Sequence, residues 1–331
     1  MNQATSVSIV IPNRNGAATL GKCLEAALAS RHPSFEIVVV DDGSEDDSVA
    51  IIQRYPCQLV RFEKPCGAAR ARNVGAAHSR GDILFFTDAD CLLEPDAIAA
   101  AARVLERAGP RLLVGGTYTW KPYDGRFFSI FQSVFIHYLE TKKTPPDYLA
   151  THALAVHAET FRASGGMREN FLPILEDVEF SHRMRRRGCT LLLHPGILVR
   201  HIFNYSLRRS LRNAFRKSMY WTIYSLGNRD LFADSGTASV GLKLNVAACA
   251  SGVALLLAAA TTGQAAWAGA AAFAFAVNLC VNAGLVRAFH RTQGAHFALA
   301  AAGYYFLLYP LAVGAGAAAG LLRYPIRATD R

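Results

Sequence analysis

Three acidic clusters hold the side chains best able to do chemistry in this chain: Asp41-Asp42, Asp88-Ala89-Asp90 and Glu176-Asp177. Asp88 and Asp90 stand two apart after the apolar run Ile83–Thr87, so a turn at a strand end can present both carboxylates to one pocket. Such pairs suit hard divalent cations, Mg2+ or Mn2+; the plain alternative is a solvated acidic turn. Asp41 and Asp42 follow the β-branched run Ile37–Val40, and their oxygens can accept hydrogen bonds from N–H groups of a ligand. Glu176-Asp177 precedes the helical stretch Val178–Gly188. A carboxylate there can take the proton of an attacking hydroxyl, although acids at a helix start also simply offset the helix dipole. His201 follows the strand-like Gly196–Arg200, and a lone histidine there is more often structural.

The elements that must position these groups read from the same residues. Strands are expected at Val7–Ile11, Ile37–Val40, Gln58–Phe62, Asp82–Thr87 and Leu112–Thr117, and helices at Ala17–Ser30, Asp47–Tyr55, Ala68–His78 and Pro95–Arg107. This alternation predicts an α/β fold, a mostly parallel sheet with helices on both faces, whose ligands bind beyond the carboxyl ends of the strands. The first two acidic clusters stand at such ends. No GxGxxG follows the first strand and no GxxxxGK[ST] occurs, which argues against a dinucleotide dehydrogenase and a P-loop NTPase. The first strand runs instead into Pro12-Asn13-Arg14-Asn15-Gly16.

Charge divides the 331 residues in two. The formal net charge is +10, yet 24 of the 25 acids lie at or before Asp234. From Ser235 to Thr329 there is no acid, and the only Lys and Arg are Lys243, Arg287, Arg291, Arg323 and Arg327. Three apolar stretches follow, 244–262, 265–286 and 297–322, each near the ~20 residues that cross a bilayer. A soluble helical bundle would show a polar face that these lack. Arg287, His290 and Arg291 place one loop on the cytoplasmic side, and Pro310 interrupts the third stretch, which a re-entrant course would explain. Ser206–Arg229 combines Leu207, Leu211, Phe215, Met219 and Leu226 with Arg208, Arg209, Arg212, Arg216 and Lys217, a pattern for an anionic membrane interface or for a solvated helix packed on the polar half. Nucleic-acid binding is not expected, because the basic stretch leads into apolar ones. The expected division is a catalytic domain over 1–203, an interface region over 204–234 and an all-α membrane region over 235–331. The seven cysteines show no CxxC pair and read as reduced thiols. Met1–Ser6 is polar and Val7–Ile11 is too short for a signal-peptide core, so no export signal is expected.

Four runs in register, VSIVIPNRNG, IVVVDDGSEDDS, GAARARNVGAAHSRGDILFFTDAD and LEDVEFSHRMRRRG, resemble the family 2 inverting glycosyltransferases of GT-A fold over about residues 6–202. The apolar tail is similar to that of bacterial members that build exopolysaccharide or lipid-linked glycans at the inner membrane. The resemblance implies a UDP- or GDP-sugar donor, a divalent cation, Mg2+ or Mn2+, and a hydroxyl acceptor on a lipid-linked glycan or polysaccharide. It implies that Asp90 ligates the metal directly, with Asp88 on donor ribose or sugar and on metal-bound water, and His201 as a further ligand. It makes Asp42 the reader of the base, Asp41 the support of its turn, Pro12, Asn13 and Asn15 the first nucleotide wall, and Arg72 a contact to nucleotide or diphosphate. It makes Asp177 the general base and Glu176 a residue that positions acceptor or loop. Gly165-Gly166 would line the sugar pocket. Arg183 and Arg187 would clamp the diphosphate, bind an anionic lipid or face water. By the same resemblance the enzyme is a multi-pass plasma-membrane protein with a cytoplasmic catalytic domain and glycan-assembly partners, and three spans favour single-sugar addition over processive synthesis. Two rival classes remain at this level: a non-catalytic nucleotide-sugar-binding membrane subunit and a nucleotidyltransferase.

Overall fold

The computed structural model describes residues 5–328. The start of the polar leader, residues 1–4, lies outside them. The chain forms two compact units, one of Met1–Gly125 with Glu140–Asn204, the other of Arg126–Leu139 with Tyr205–Arg331. In chain order the elements are β1 (Val7–Asn13), α1 (Ala17–Leu28), β2 (Phe35–Asp41), α2 (Ser48–Ile52), β3 (Gln58–Arg61), α3 (Ala68–His78), β4 (Ile83–Phe86), β5 (Cys91–Leu93), α4 (Ala97–Ala108), β6 (Leu112–Tyr118), α5 (Phe127–Thr141), β7 (Leu154–His157), α6 (Ala158–Ala163), α7 (Glu176–Arg186) and β8 (Thr190–His201).

The first unit is built on one eight-stranded sheet ordered β3-β2-β1-β4-β7-β6-β8-β5. Pairs β1·β2, β1·β4, β2·β3 and β6·β8 are parallel, whereas β4·β7, β6·β7 and β5·β8 are antiparallel. The parallel half matches the alternation read from the sequence. The reversed strands β5 and β7 have three and four residues, too few for a pattern that declares direction, so tertiary pairing decides it. Ile9–Ile11, Val38–Val40 and Ile83–Phe86 are fully buried, as strands covered on both faces must be. Helix α3 lies close over β1: a Cβ on Gly75 would overlap Val10 Cγ1, which explains a glycine inside a helix. Register places Asn13 of β1 beside Asp41 of β2, and Cys91 of β5 opposite His201 of β8.

The second unit is helical. Beyond most of α5 it holds α8 (Leu207–Asn228), α9 (Val240–Thr262), α10 (Ala265–Gly303), a π-helical turn at Tyr304–Leu308 and α11 (Tyr309–Ala328). Ser206 and Ser239 cap α8 and α9 through their hydroxyls. The second and third apolar stretches run into one another: Gly294, with φ 83° and ψ −177°, marks the break inside α10, and Pro310 stands just past the π-helical turn, where the carbonyl of Tyr305, five residues before it, accepts Asn245 Nδ2 at 2.7 Å. Among the described residues two helical spans, Val240–Thr262 and Ala265–Tyr324, are long and apolar enough to cross a membrane. They leave Val253, Leu257, Phe273, Leu299 and Leu322 exposed, a surface unlike that of a helix seated in a soluble core.

Packing within this unit departs from the simple amphipathic reading of α8. Leu207 and Phe215 are exposed, and Ser210 and Ala214 are buried. The reason is close helix–helix approach: Cβ atoms on Gly316 and Gly320 of α11 would overlap the carbonyl oxygens of Phe215 and Met219. This small-xxx-small stripe of α11 lets the backbones touch, so small residues of α8 such as Ser210 and Ala214 are buried alongside Met219 and Tyr224. Elsewhere Asn278 Nδ2 donates to Asn245 Oδ1, Asn282 Nδ2 to Asn278 Oδ1, and Tyr305 Oη to Asn282 Oδ1, a fully paired ladder that fixes α9 and α10 in register.

Candidate active site

At the carboxyl ends of β1 and β2 the side chains form a tight polar lattice. Asn13 Nδ2 donates to Asp41 Oδ1 at 2.9 Å and to Ser44 Oγ at 3.2 Å, and Ser44 Oγ donates to Asp41 Oδ1 at 2.5 Å. Asn15, held at φ 52°, donates its amide to Ser44 Oγ and accepts from the Glu45 amide. Pro12 is half-buried beside them and pairs in register with Val40. Asp41 therefore organises the turn. Asp42 anchors the loop entering α3, because its two oxygens accept the backbone amides of Cys66 and Gly67 at 2.5 and 2.9 Å. Each of those oxygens keeps a further lone pair for a ligand N–H.

Helix α3 carries the residue at the centre of the site. Arg72 is buried to 4% exposure. Its Nη2 donates to Asp88 Oδ1 and its Nη1 to Glu176 Oε1, each at 2.6 Å. Burial works against its charge, but Asp88 and Glu176 outweigh it and raise the guanidinium above its ordinary value. Burial likewise opposes the charge of Asp88, while Arg72, His152 and His201 hold its carboxyl below the usual carboxylate range. His152 enters this set because it stacks on Tyr118 with centroids 4.1 Å apart and faces Glu140 Oε2 at 3.7 Å. Arg70, two residues away, reaches Glu169 at the surface.

Asp177 begins α7 next to Glu176. Its oxygens accept the Val178 amide at 2.8 Å and the Thr151 amide at 3.4 Å. Burial first, and then the charge of Glu176, push its carboxyl up to about 6, partly offset by Arg72 and the two amides. Leu175, just before the pair, sits at φ 75°, a strained conformation for a branched side chain. A carboxylate with a raised proton affinity at a strained helix start is suited to accept a proton near neutral pH.

The metal-ligand candidates meet at the sheet edge. His201 Nε2 is 3.4 Å from Asp90 Oδ1, and the His201 ring stacks on Phe203 at 3.8 Å between centroids. Asp90, His201 and Cys91 all bring ligand atoms within 4.8 Å of one another. A half-exposed carboxylate beside a largely buried imidazole is a donor set that fits a divalent cation. Asp88 lies on the Arg72 side of the same turn.

The Gly165-Gly166 turn is held by Asn73, Arg183 and Arg187. Asn73 clamps it, accepting the Met167 amide at 2.8 Å and donating to the Met167 carbonyl at 2.8 Å. Arg183 donates to the carbonyls of Ser164 and Gly166, and Arg187 to that of Ser164 at 2.9 Å. Both arginines are thus engaged with the turn backbone, whereas their sequence context suggested a diphosphate, an anionic lipid or water. The one signal for Asn73 in the sequence is its place beside Arg72 in Ala71-Arg72-Asn73.

Against this geometry, the model of glycosyl transferase family 2 matches residues 8–164. Over that stretch the chain resembles the family 2 glycosyltransferases. Glycosyltransferase GlyG of Streptococcus pneumoniae is 28% identical over 127 residues, 37% of this chain and 42% of its own length. Glycosyltransferase AglE of Haloferax volcanii is 24% identical over 237 residues, covering 69% of this chain and 78% of AglE. The succinoglycan biosynthesis protein ExoO of Rhizobium meliloti is 27% identical over 46% of this chain and 44% of its own. The chain thus spans less than half the length of GlyG and ExoO. A mannosyltransferase of Pyrobaculum calidifontis, solved with GDP-Man and Mn2+, superposes with a TM-score of 0.59 at 17% identity, over 98% of this chain and 88% of that one. The fold is therefore GT-A with a helical C-terminal region. Neither rival class finds a counterpart among these proteins.

Proposed function

We propose that this protein is a metal-dependent inverting glycosyltransferase that moves a sugar from a UDP- or GDP-sugar to a hydroxyl of a lipid-linked or polysaccharide acceptor. The observation that carries the reading is Arg72, whose single buried guanidinium joins the donor-side Asp88 to Glu176 beside the proton acceptor Asp177. The Asn13, Asn15 and Asp41 lattice with Pro12 forms the nucleotide wall, and Asp42 receives an N–H of the base. Asp90 and His201 would hold Mg2+ or Mn2+, with Asp88 close by. When bound, that ion supplies positive charge against the developing diphosphate.

Asp177 takes the proton of the acceptor hydroxyl as its oxygen attacks the anomeric carbon from the face opposite the nucleotide. The carbon–oxygen bond to the diphosphate breaks, and its electron pair leaves with the nucleoside diphosphate. Burial keeps Asp177 poised near neutrality, and Thr151 fixes one of its oxygens. Glu176, held by Arg72, orients the loop that delivers Asp177. The apolar helices support membrane association; in this reading the membrane is the plasma membrane, the catalytic unit is cytoplasmic, and the basic α8 suits an anionic leaflet. The test is transfer from radiolabelled UDP- and GDP-sugars into membrane lipids, with product analysis. Asp177→Asn should bind nucleotide as the unaltered protein does and lose about 100-fold or more in transfer. Full transfer by that variant to every competent acceptor would overturn the assignment.

A further inference from the structure

Cys91 stands beside the two residues placed to hold the divalent ion. It opens β5 and pairs across the antiparallel ladder with His201 of β8. Residues so opposed project to the same face with Cβ atoms about 5 Å apart. Asp90 precedes it in the chain, and its carbonyl oxygen accepts the Ile202 amide at 2.8 Å, which locks the turn to the end of β8. Asp90 Oδ1 is 3.4 Å from His201 Nε2 and 3.9 Å from Cys91 Sγ. A tetrahedral ion with bonds of about 2.0 Å to oxygen and nitrogen and about 2.3 Å to sulfur has edges of roughly 3.3 Å for O···N and roughly 3.5 Å for O···S. Both observed separations lie within a few tenths of an ångström of those edges.

We propose that Cys91 is a third protein ligand of this site, completing an Asp–Cys–His set that prefers thiophilic ions, Zn2+ and Cd2+, over Mg2+. The proposal rests on the reading that Asp90 and His201 hold a divalent cation. Sulfur is a soft donor that Mg2+ disregards and Zn2+ or Cd2+ seeks, so one buried thiol reorders the affinities of an otherwise hard site. Binding forms the metal–sulfur bond as the thiol proton leaves to water. Zn2+ held by three protein ligands has one tetrahedral position left, fewer than the octahedral Mg2+ offers to a diphosphate. Zn2+ therefore competes with the activating ion.

The test uses the purified full chain in detergent. Cd2+ is titrated while the ultraviolet sulfur-to-cadmium charge-transfer absorption is recorded, and Mn2+ binding is followed in parallel by electron paramagnetic resonance of the free ion. Other cysteines also bind Cd2+, so the readout is the difference between the unaltered protein and Cys91→Ser. The expected difference saturates at one equivalent, weakens about tenfold or more in His201→Ala, and is displaced by excess Mn2+, while Cys91→Ser still binds Mn2+. If the two proteins give the same absorption while both bind Mn2+, Cys91 is not a ligand and the Asp90–His201 reading stands. If the unaltered protein binds no Mn2+, the metal reading falls and this proposal with it. Cys91→Ala carries the same comparison should the serine variant fold poorly, with the melting temperature as the check.

Discussion

Arg72 and Glu176 lie 104 residues apart in the chain and 2.6 Å apart in the fold. That contact ties α3 to the start of α7, where the proposed base resides. Because the same guanidinium also binds Asp88, a change at any one of the three residues disturbs the other two. Removing Arg72 leaves the partly buried carboxylates of Asp88 and Glu176 without their shared cation, so Arg72→Ala should cost about 1–3 kcal/mol of stability and abolish transfer. Arg72→Lys cannot bridge both acids in fork geometry and should retain only a few per cent of activity. Thermal melts and donor turnover on both variants check this.

Acidity should separate rate from stability at Asp177. With its folded carboxyl pushed up to about 6, transfer should fall tenfold per pH unit below that value, as the base becomes protonated. Stability runs the other way. Asp177 binds a proton more readily in the folded chain than in the unfolded one, where its value is about 3.9. Its contribution is full below about pH 4 and is lost as pH rises through about 6. Asp177→Asn should therefore be more stable than the unaltered protein at pH 8, by on the order of 1–3 kcal/mol, and no more stable at pH 4. Denaturation at the two pH values reads the difference.

The glycine turn gives a paired comparison. Gly166 has φ +68° and a Cβ there would meet Asn73 Oδ1 at 2.5 Å, whereas Gly165, at φ +81°, faces open space. Gly165→Ala should cost only the backbone strain, about 1 kcal/mol. Gly166→Ala should cost about 1–3 kcal/mol more and raise the KM for donor, because it also displaces the Asn73 clamp beside Arg72. Equal melting temperatures for the two variants would contradict this account.

In the helical unit, Gly316→Leu should separate α11 from α8. A Cβ alone already overlaps the Phe215 carbonyl oxygen, and a leucine adds bulk that no rotamer can place. Detergent-solubilised protein should lose about 5 °C or more in melting temperature, while Gly314→Ala, whose Cβ would find only Val246 Cγ1 at 3.3 Å, should lose little. Scanning fluorimetry of both decides it.

Much of the catalytic unit was legible along the chain because its decisive features are local. β-branched runs ending in acids specify parallel strands and the pole at which ligands bind, and α3 lies where its residues placed it, Ala68–His78. The long acid-free apolar stretches declare themselves by composition. Contacts that close over a hundred residues leave no such mark. The resemblance marks Arg72 as a nucleotide or diphosphate contact, but only the fold reveals its place between Asp88 and Glu176, and Arg183, read as a diphosphate clamp, a lipid contact or a solvated charge, meets the carbonyls of Ser164 and Gly166. Cys91 is an ordinary buried residue until antiparallel pairing sets it against His201. The chain alone determined which chemistry was available and at which strand ends. The tertiary structure alone decided which charges share a low-dielectric space, and so which carboxylate is held ionised by Arg72 and which is left to hold a proton near neutrality.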